Sequence, residues 1–259
     1  MVFILDTADA VTGRRDMDNT SDTVRINRYI AECGICSRRE ADRLICEGRV
    51  SVNGETAMPG IKVCGTDKVC VDGHEVTEKK EKTVIAYYKP AGVTCTERDC
   101  HAERNVIDEL GLSERVTYAG RLDRDSEGLL IMTDDGMLIH EMMSAGNFHE
   151  KEYEVELDRD ISDEDIARLA GGIHLSELDI DTRPCNVRRI GKKSVNFVLT
   201  QGVNRQIRRM CYECGYKVKK LCRIRIMNLK LAELRPGEYR NISGDELKQL
   251  YESCGLSLR

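Results

Sequence analysis

Residues 120–136 read G-R-L-D-R-D-S-E-G-L-L-I-M-T-D-D-G. In this stretch Asp123 stands between Arg121 and Arg124, in a turn-rich segment ahead of the apolar run that begins at Leu129. A carboxylate that lies beside guanidinium groups stays ionised at neutral pH, which suits it to act as a nucleophile. The stretch therefore predicts a reactive carboxylate at position 123. Asp125, Ser126 and Thr133 are interpreted as residues that form the turn and support it.

Length and composition set outer bounds on the fold and the compartment. The 259 residues are enough for one large domain or two smaller ones. No apolar run approaches the roughly eighteen residues of a membrane span. The apolar start, residues 1–5, is too short for a signal peptide, and the chain has twelve cysteines. We therefore expect a cytoplasmic protein with reduced thiols and no membrane contact.

Two C-x-x-C pairs, Cys33/Cys36 and Cys211/Cys214, raise the question of a metal. One interpretation is a shared zinc site. The other is that each pair falls at the end of a helix, where cysteine packs as a small hydrophobic residue. Because no histidine follows either pair at zinc-finger spacing, the sequence favours packing and predicts no metal site.

Charge is segregated along the chain, although the formal net charge is only −5. Residues 183–230 contain fourteen Lys or Arg and one acid, whereas residues 97–181 contain eight Lys or Arg and twenty-four acids. This segregation predicts one face that attracts phosphates and another that repels them. Within the basic segment, residues 217–226 alternate cations with apolar residues, which predicts a strand that shows its cations on one side.

The N-terminal part has the pattern of a small helical and hairpin unit. Residues 1–21 lack periodicity and are predicted to be a disordered tail. Helical spacing follows from Ile26 to Cys33, and a capping box at Ser37 predicts a second helix. Residues 49–52 then alternate as a strand, and Asn53-Gly54 supplies a hairpin turn.

This unit resembles the S4 RNA-binding domain, through R-I-N-R-Y-I-A-E-C-G-I-C-S-R-R-E-A-D-R-L-I and G-R-V-S-V-N-G. We assign it to residues 22–78. The resemblance implies that a basic helix pair contacts the RNA backbone, through Arg25, Arg28, Arg38, Arg39 and Arg43. The alternative is a helical cap whose arginines are only solvated.

Residues 79–82 are predicted to be a charged linker, and residues 83–259 a second domain. In it, residues 83–88 have the pattern of a buried strand, and residues 153–157 that of an exposed edge strand. A helix should open at Ser162, and helical apolar spacing runs from Asn204 to Glu213. Because strands and helices interleave without regular βαβ units, we expect an α+β fold on a mixed, largely antiparallel sheet with flanking helices.

Three motifs of this domain, together with residues 120–136, resemble RsuA-type RNA pseudouridine synthases. They are K-P-A-G-V at 89–93, K-E-Y at 151–153 and G-V-N-R-Q-I-R-R-M at 202–210. Further stretches, such as A-G-N-F-H-E-K-E-Y at 145–153, are most similar to the large-subunit ribosomal RNA branch of the family, and there to the synthase F type. The resemblance covers residues 24–251.

The resemblance implies an isomerase that converts uridine to pseudouridine and needs no cofactor. It makes Asp123 the nucleophile, Arg208 the arginine that pairs with it, and Tyr153 the residue that stacks on the uracil. The target base must leave the RNA helix, and Arg121 is placed to fill the gap. Arg205 and Arg209 belong to the same basic helix and are candidates for phosphate contacts.

The expected partner is ribosomal RNA, with transfer RNA as an open second substrate. We expect a monomer without an obligate protein partner. Two other classes are weighed: an S4-containing ribosome-assembly factor that binds RNA without catalysis, and a hydrolase that uses Asp123 and Asp125 as paired carboxylates. Intact Asp123, Tyr153 and Arg208 argue against the first. The spacing of the two aspartates argues against the second, because they would rarely face each other in a turn.

Overall fold

The computed structural model describes residues 23–77, 81–96, 104–112 and 114–258. The predicted tail and part of the predicted linker, Lys79 and Lys80, lie outside these residues. Internal contacts divide the chain into two units, with the boundary between Thr77 and Glu78. Each unit is described by itself.

The first unit is a helix pair with short hairpins. Its helices are α1, Ile26–Glu32, and α2, Arg38–Cys46. Its strands are β1 Val24–Arg25, β2 Val50–Val52, β3 Glu55–Thr56, β4 Lys62–Val63, β5 Val69–Val71 and β6 His74–Glu75. The predicted N-cap forms, since the Ser37 hydroxyl accepts a hydrogen bond from the backbone N–H of Glu40. The apolar faces of both helices and the strands enclose one small core.

The predicted hairpin turn of the first unit has the backbone conformation that its sequence requires. Asn53 and Gly54 both have positive φ, 53° and 89°, and they join β2 to β3. This pair of left-handed residues is the two-residue turn whose twist matches an antiparallel hairpin.

The second unit contains eleven strands and five α-helices within its described residues. The helices are α3 Val106–Leu110, α4 Gly136–Met143, α5 Asp163–Ala170, α6 Gln206–Glu213 and α7 Gly244–Ser253, with a short 3-10 turn at Ala145–Asn147. The strands are β7 Val84–Lys89, β8 Thr117–Tyr118, β9 Glu127–Thr133, β10 Lys151–Leu157, β11 His174–Leu175, β12 Ile180–Asp181, β13 Asn186–Arg189, β14 Ser194–Leu199, β15 Val218–Ile226, β16 Leu229–Lys230 and β17 Tyr239–Asn241.

Nine of these strands form one mixed sheet, which confirms the predicted α+β class. The order is β13-β14-β10-β15-β9-β7-β17, with β16 beside β15 and β8 beside β9. All pairs are antiparallel except β9 with β15, which are parallel over Glu127–Gly128 and Cys222–Arg223. This short parallel seam joins two antiparallel halves of the sheet.

The edge-strand prediction for residues 153–157 is wrong. Strand β10 pairs with β14 on one side and with β15 on the other, so it is central in its half of the sheet. Its alternating pattern arises because one face packs in the core while the other carries exposed glutamates. An alternating pattern shows that one face of a strand is open to solvent, but it does not show whether the strand lies at the edge of its sheet.

The basic strand also differs from its prediction. Strand β15 forms as expected, but two register shifts interrupt its pairing with β10. Because each bulge reverses which face the following residues occupy, the cations do not share one side. Lys219 and Lys220 are exposed, whereas Arg223 is 2% exposed.

Apolar side chains cover both faces of the sheet. One core packs α4 and α7 against β7, β9 and β15, and another packs α5 and α6 against β10 and β14. A smaller cluster includes α3 and the opposite side of β7 and β9. In the part of the chain that the structure describes, no helix has the length and apolarity needed to cross a membrane.

Candidate active site

A cavity of about 520 Å³ opens in the second unit, where the two halves of the sheet meet. Its walls are the loop around Asp123, the start of β10, and the segment from Gln201 to Arg208. Five of the residues predicted from sequence line it: Arg121, Asp123, Tyr153, Arg205 and Arg208. Residues far apart in the chain are thus brought to one concave site.

Backbone contacts fix the loop that carries Asp123. The carbonyl of Asp123 accepts a hydrogen bond from the N–H of Ser126 at 3.1 Å, which closes a tight turn. The K-P-A-G-V motif supports the loop from beside it, because the N–H of Gly92 donates to the carbonyl of Arg124 at 2.6 Å. The Asp123 side chain is 31% exposed, so it is open to the cavity and still held by its turn.

The arginine pairing differs from the pairing that the resemblance implied. Arg208 does not pair with Asp123: its Nε lies 3.3 Å from Oδ2 of Asp125, and its Nη2 donates to the carbonyl of Asp125. Arg205 donates to both oxygens of Asp125, at 3.0 and 3.2 Å, and its Nη1 lies 3.8 Å from Oδ2 of Asp123. Both guanidinium groups therefore converge on Asp125, and Arg205 is the arginine nearest to Asp123.

The start of α6 explains this arrangement. Arg205 has a φ of 52° just before the helix, so its side chain and that of Arg208 both reach the Asp123 loop. Asp125, predicted only to shape the turn, occupies the position between them. Burial would raise the pKa of Asp125, but the hydrogen bonds from Arg205 and the charge of Arg208 outweigh it and hold this pKa below its ordinary value.

Tyr153 lies on β10 at the wall of the cavity, opposite Arg223 on β15 and Phe197 on β14. Arg223 is buried there, and its Nε donates to the carbonyl of Leu129 at 2.7 Å. Its Nη1 donates to the carbonyl of Arg121 at 3.5 Å. Arg223 thus ties β15 to β9 and to the loop of Asp123.

Two lysines, Lys151 partly buried and Lys89 fully buried, add positive charge around the site. Lys151 lines the cavity, and burial together with Arg223 lowers the pKa of its ammonium group. Lys89 is fully buried, and its Nζ donates to the carbonyls of Pro90 and Val93, both at 2.8 Å. Burial lowers the pKa of Lys89 to about 8. Sequence reasoning did not name Lys89, Lys151 or Arg223 as site residues, although Lys89 and Lys151 begin the K-P-A-G-V and K-E-Y motifs and Arg223 interrupts an apolar run.

The remaining predicted RNA-binding arginines lie outside the cavity. Arg209 is ion-paired with Glu177 and donates to the carbonyl of Asn204. In the first unit, Arg28 pairs with Glu32 at 2.7 Å, and Arg43 pairs with Glu40 and Glu47. Arg25, Arg38 and Arg39 are exposed and make no side-chain ion pair within the described residues.

Within the described ranges, no group of three or more His, Cys, Asp or Glu side chains is arranged so that it could hold a metal ion. Of the C-x-x-C cysteines in the second unit, Cys211 is buried in the core beneath α6. Burial raises the pKa of its thiol to about 12, so it stays protonated.

The fold agrees with the comparisons with known proteins. The sequence model of RNA pseudouridylate synthases matches residues 83–213, and that of the S4 domain matches residues 24–69. The chain belongs to the RNA pseudouridine synthase family and is an isomerase that acts on RNA. The S4 match confirms the resemblance of the first unit to an RNA-binding domain.

Individual relatives support this membership over most of the chain. The dual-specificity RNA pseudouridine synthase RluF of Escherichia coli K12 is 44% identical over 89% of this chain and 79% of its own length. The ribosomal large subunit pseudouridine synthase B of Bacillus subtilis is 33% identical over 87% of this chain and 95% of its own. A crystal structure of a pseudouridylate synthase superposes with a TM-score of 0.64, at 29% identity, over 88% of this chain and 99% of that one. The predicted similarity to the synthase F type is confirmed.

Proposed function

We propose that this enzyme isomerises a specific uridine of large-subunit ribosomal RNA to pseudouridine, with Asp123 as the nucleophile. The observation that carries the proposal is the meeting of Asp123 and Tyr153 in one cavity whose other walls are rich in cations. The names of two relatives, RluF and the large-subunit synthase B, support the choice of RNA. Because RluF is a dual-specificity enzyme, transfer RNA is the second substrate to test.

The reaction rearranges one nucleotide without redox change or group transfer. The N1–C1′ bond breaks, the uracil turns, a C5–C1′ bond forms, and the proton on C5 is lost while N1 gains one. The Asp123 carboxylate attacks the sugar or the base, or removes a sugar proton first. The Arg205 guanidinium lies 3.8 Å from Oδ2 of Asp123, so a positive charge faces the carboxylate. No cofactor is required by this balance of atoms.

The remaining residues position the substrate. Tyr153 stacks on the uracil and is placed to handle the C5 proton. Because a base inside a helix cannot reach Asp123, the uridine flips out, and the exposed Arg121 fills the gap it leaves. Arg208 acts through Asp125, which it contacts, and thereby fixes the loop of Asp123. The S4 unit adds affinity for the RNA backbone, and the enzyme acts as a monomer in the cytoplasm.

The proposal is tested by mapping pseudouridine on naked large-subunit ribosomal RNA and on transfer RNA. Carbodiimide treatment followed by reverse transcription reports the sites. We expect the wild-type enzyme to modify one or a few uridines and Asp123→Ala to modify none. Asp163→Ala, at an exposed aspartate on α5, is the matched control and should act like the wild type. Retained modification by Asp123→Ala would contradict the role of Asp123.

A further inference from the structure

An exposed aromatic ring stands on the loop between α4 and β10, and the reaction described above does not use it. Phe148 is 56% exposed, although a phenyl ring in water loses the benefit of burial. Its φ is 52°, a left-handed conformation that bulky residues rarely adopt. Backbone strain of this kind persists where the surroundings hold a side chain in a needed position.

The guanidinium group of Arg183 covers one face of this ring. The guanidinium carbon of Arg183 lies 4.5 Å from the centroid of the Phe148 ring. Arg183 is itself exposed, and within the described ranges no carboxylate pairs with it. Phe148 stays more than half exposed even with Arg183 over its ring, so part of the ring is open to solvent beside an unneutralised positive charge.

Phe148 and Arg183 are each connected to residues that line the cavity. Phe148 falls between Met143 and Lys151 in the chain, and both of these residues line the cavity. On the other side, the backbone N–H of Arg183 donates to the side-chain oxygen of Gln201 at 2.9 Å, and Gln201 also lines the cavity. The stacked pair is thus anchored at the cavity rim.

We propose that Phe148 and Arg183 form a second nucleobase subsite, which stacks an unpaired base of the RNA next to the flipped uridine. This inference rests on the proposed function, because it assigns the neighbour of the target nucleotide. Proteins read single-stranded RNA by stacking bases on aromatic rings and on arginine planes, and every base offers such a face. Arg183 extends the stacked surface and neutralises the adjoining phosphate.

The test separates contacts to bases from contacts to phosphates. The full-length protein is titrated with a short single-stranded oligouridylate and with a matched abasic ribose-phosphate strand. We expect Phe148→Leu to weaken binding of oligouridylate roughly 5- to 150-fold, the range for one stacked base, and to leave binding of the abasic strand unchanged. Phe148→Trp should bind like the wild type. The control is Tyr239→Leu, at an exposed aromatic on β17, which should change neither affinity.

A crosslinking experiment tests whether a base contacts the Phe148 ring itself. An oligouridylate that carries 5-iodouracil is irradiated with the wild-type protein, and the joined peptide is identified by mass spectrometry. A crosslink at Phe148 supports the subsite. Equal affinities of wild type and Phe148→Leu for oligouridylate, an equal loss on both strands, or crosslinks only elsewhere would overturn it. If the wild type forms no pseudouridine, the proposed function fails, while these binding results still decide whether the ring stacks bases.

Discussion

At the scale of single residues, the carboxylates of Asp123 and Asp125 share one arginine, Arg205. Arg205 contacts both, and Arg208 contacts only Asp125. In the proposed mechanism Asp125 is therefore a positioning residue, since it holds two cations against the loop of Asp123. Its negative charge also offsets part of the positive charge that would attract RNA phosphates.

Replacing Asp125 with Asn should move RNA affinity and turnover in opposite directions. The loss of a negative charge beside two arginines tightens RNA binding a few-fold, because more positive charge faces the phosphates. Turnover should fall by about tenfold or more, since a weakened anchor for Arg205 and Arg208 disturbs the geometry around Asp123. Single-turnover rates and equilibrium binding of the same RNA give the two quantities.

Asp125→Glu restores the charge and should recover part of the rate, and Asp163→Asn serves as the distant control. A variant of Asp125 that lowers rate and affinity together would indicate a purely structural role.

The residues of the site were predictable only in part. Motifs identified Asp123, Tyr153, Arg205 and Arg208 as members of the site, and the cavity contains all four. The pairing of Arg208 was not predictable, because two aspartates in one turn compete for it and only the turn geometry decides. Lys89 and Arg223 were missed because a buried cation violates the ordinary rule that charge stays at the surface.

At the scale of strands and helices, the segregated charges of the sequence become cross-strand pairs. Acidic β10 lies between basic β15 and uncharged β14. Arg225 of β15 pairs with Glu150 and Glu152, and Arg188 of β13 approaches Glu152 from beyond β14. Opposite charges on neighbouring strands stabilise the sheet. The predicted division into an attracting and a repelling face was therefore only partly right, because many of the cations neutralise acids of the other segment.

The element types themselves were largely predictable. Capping at Ser37 and Ser162, and the apolar spacing of α6, fixed these helices from sequence. The central position of β10 and the bulges of β15 could not be predicted from the sequence, because both depend on strands that are distant in the chain.

Gly128 makes the parallel seam between β9 and β15 possible. Its φ is 107°, and a Cβ at this position would overlap the backbone N and O of Arg223. We expect Gly128→Ala to lower the free energy of unfolding by about 2 kcal/mol or more, because the side chain fits neither the backbone conformation nor the close approach of the strands. Urea unfolding of the purified protein measures this change.

The control is Gly136→Ala at the start of α4, where a Cβ meets no atom within 4 Å and stability should stay nearly constant. Equal stability of Gly128→Ala and the wild type would show that the seam tolerates a side chain.

At the scale of the whole molecule, the proposed function divides the work between the two units, with affinity in the first and chemistry in the second. Arg38 and Arg39 on α2 are exposed and unpaired among the described residues, whereas Arg28 and Arg43 are held by glutamates. The double variant Arg38→Ala/Arg39→Ala should bind ribosomal RNA more weakly. The slope of log affinity against log salt should fall by roughly 0.7 to 0.9 for each RNA phosphate that the variant no longer neutralises.

The modified uridine should stay the same in this variant, because the cavity of the second unit does not include these arginines. Lys248→Ala, at an exposed lysine of α7, is the control for a general loss of charge. A shift to other uridines would mean that the first unit also selects the site.

The seam has a consequence for the newly made chain. Asp123 lies just before β9, whereas Arg205, Arg208 and Arg223 are synthesised some eighty residues or more later, before or within β15. During translation, Asp123 leaves the ribosome long before these three arginines, so the cavity they line cannot yet have formed around it. The proposed chemistry therefore requires that β15 has docked on β9. On the proposed mechanism, a nascent chain is thus inert towards RNA until the residues up to Arg223 have been made.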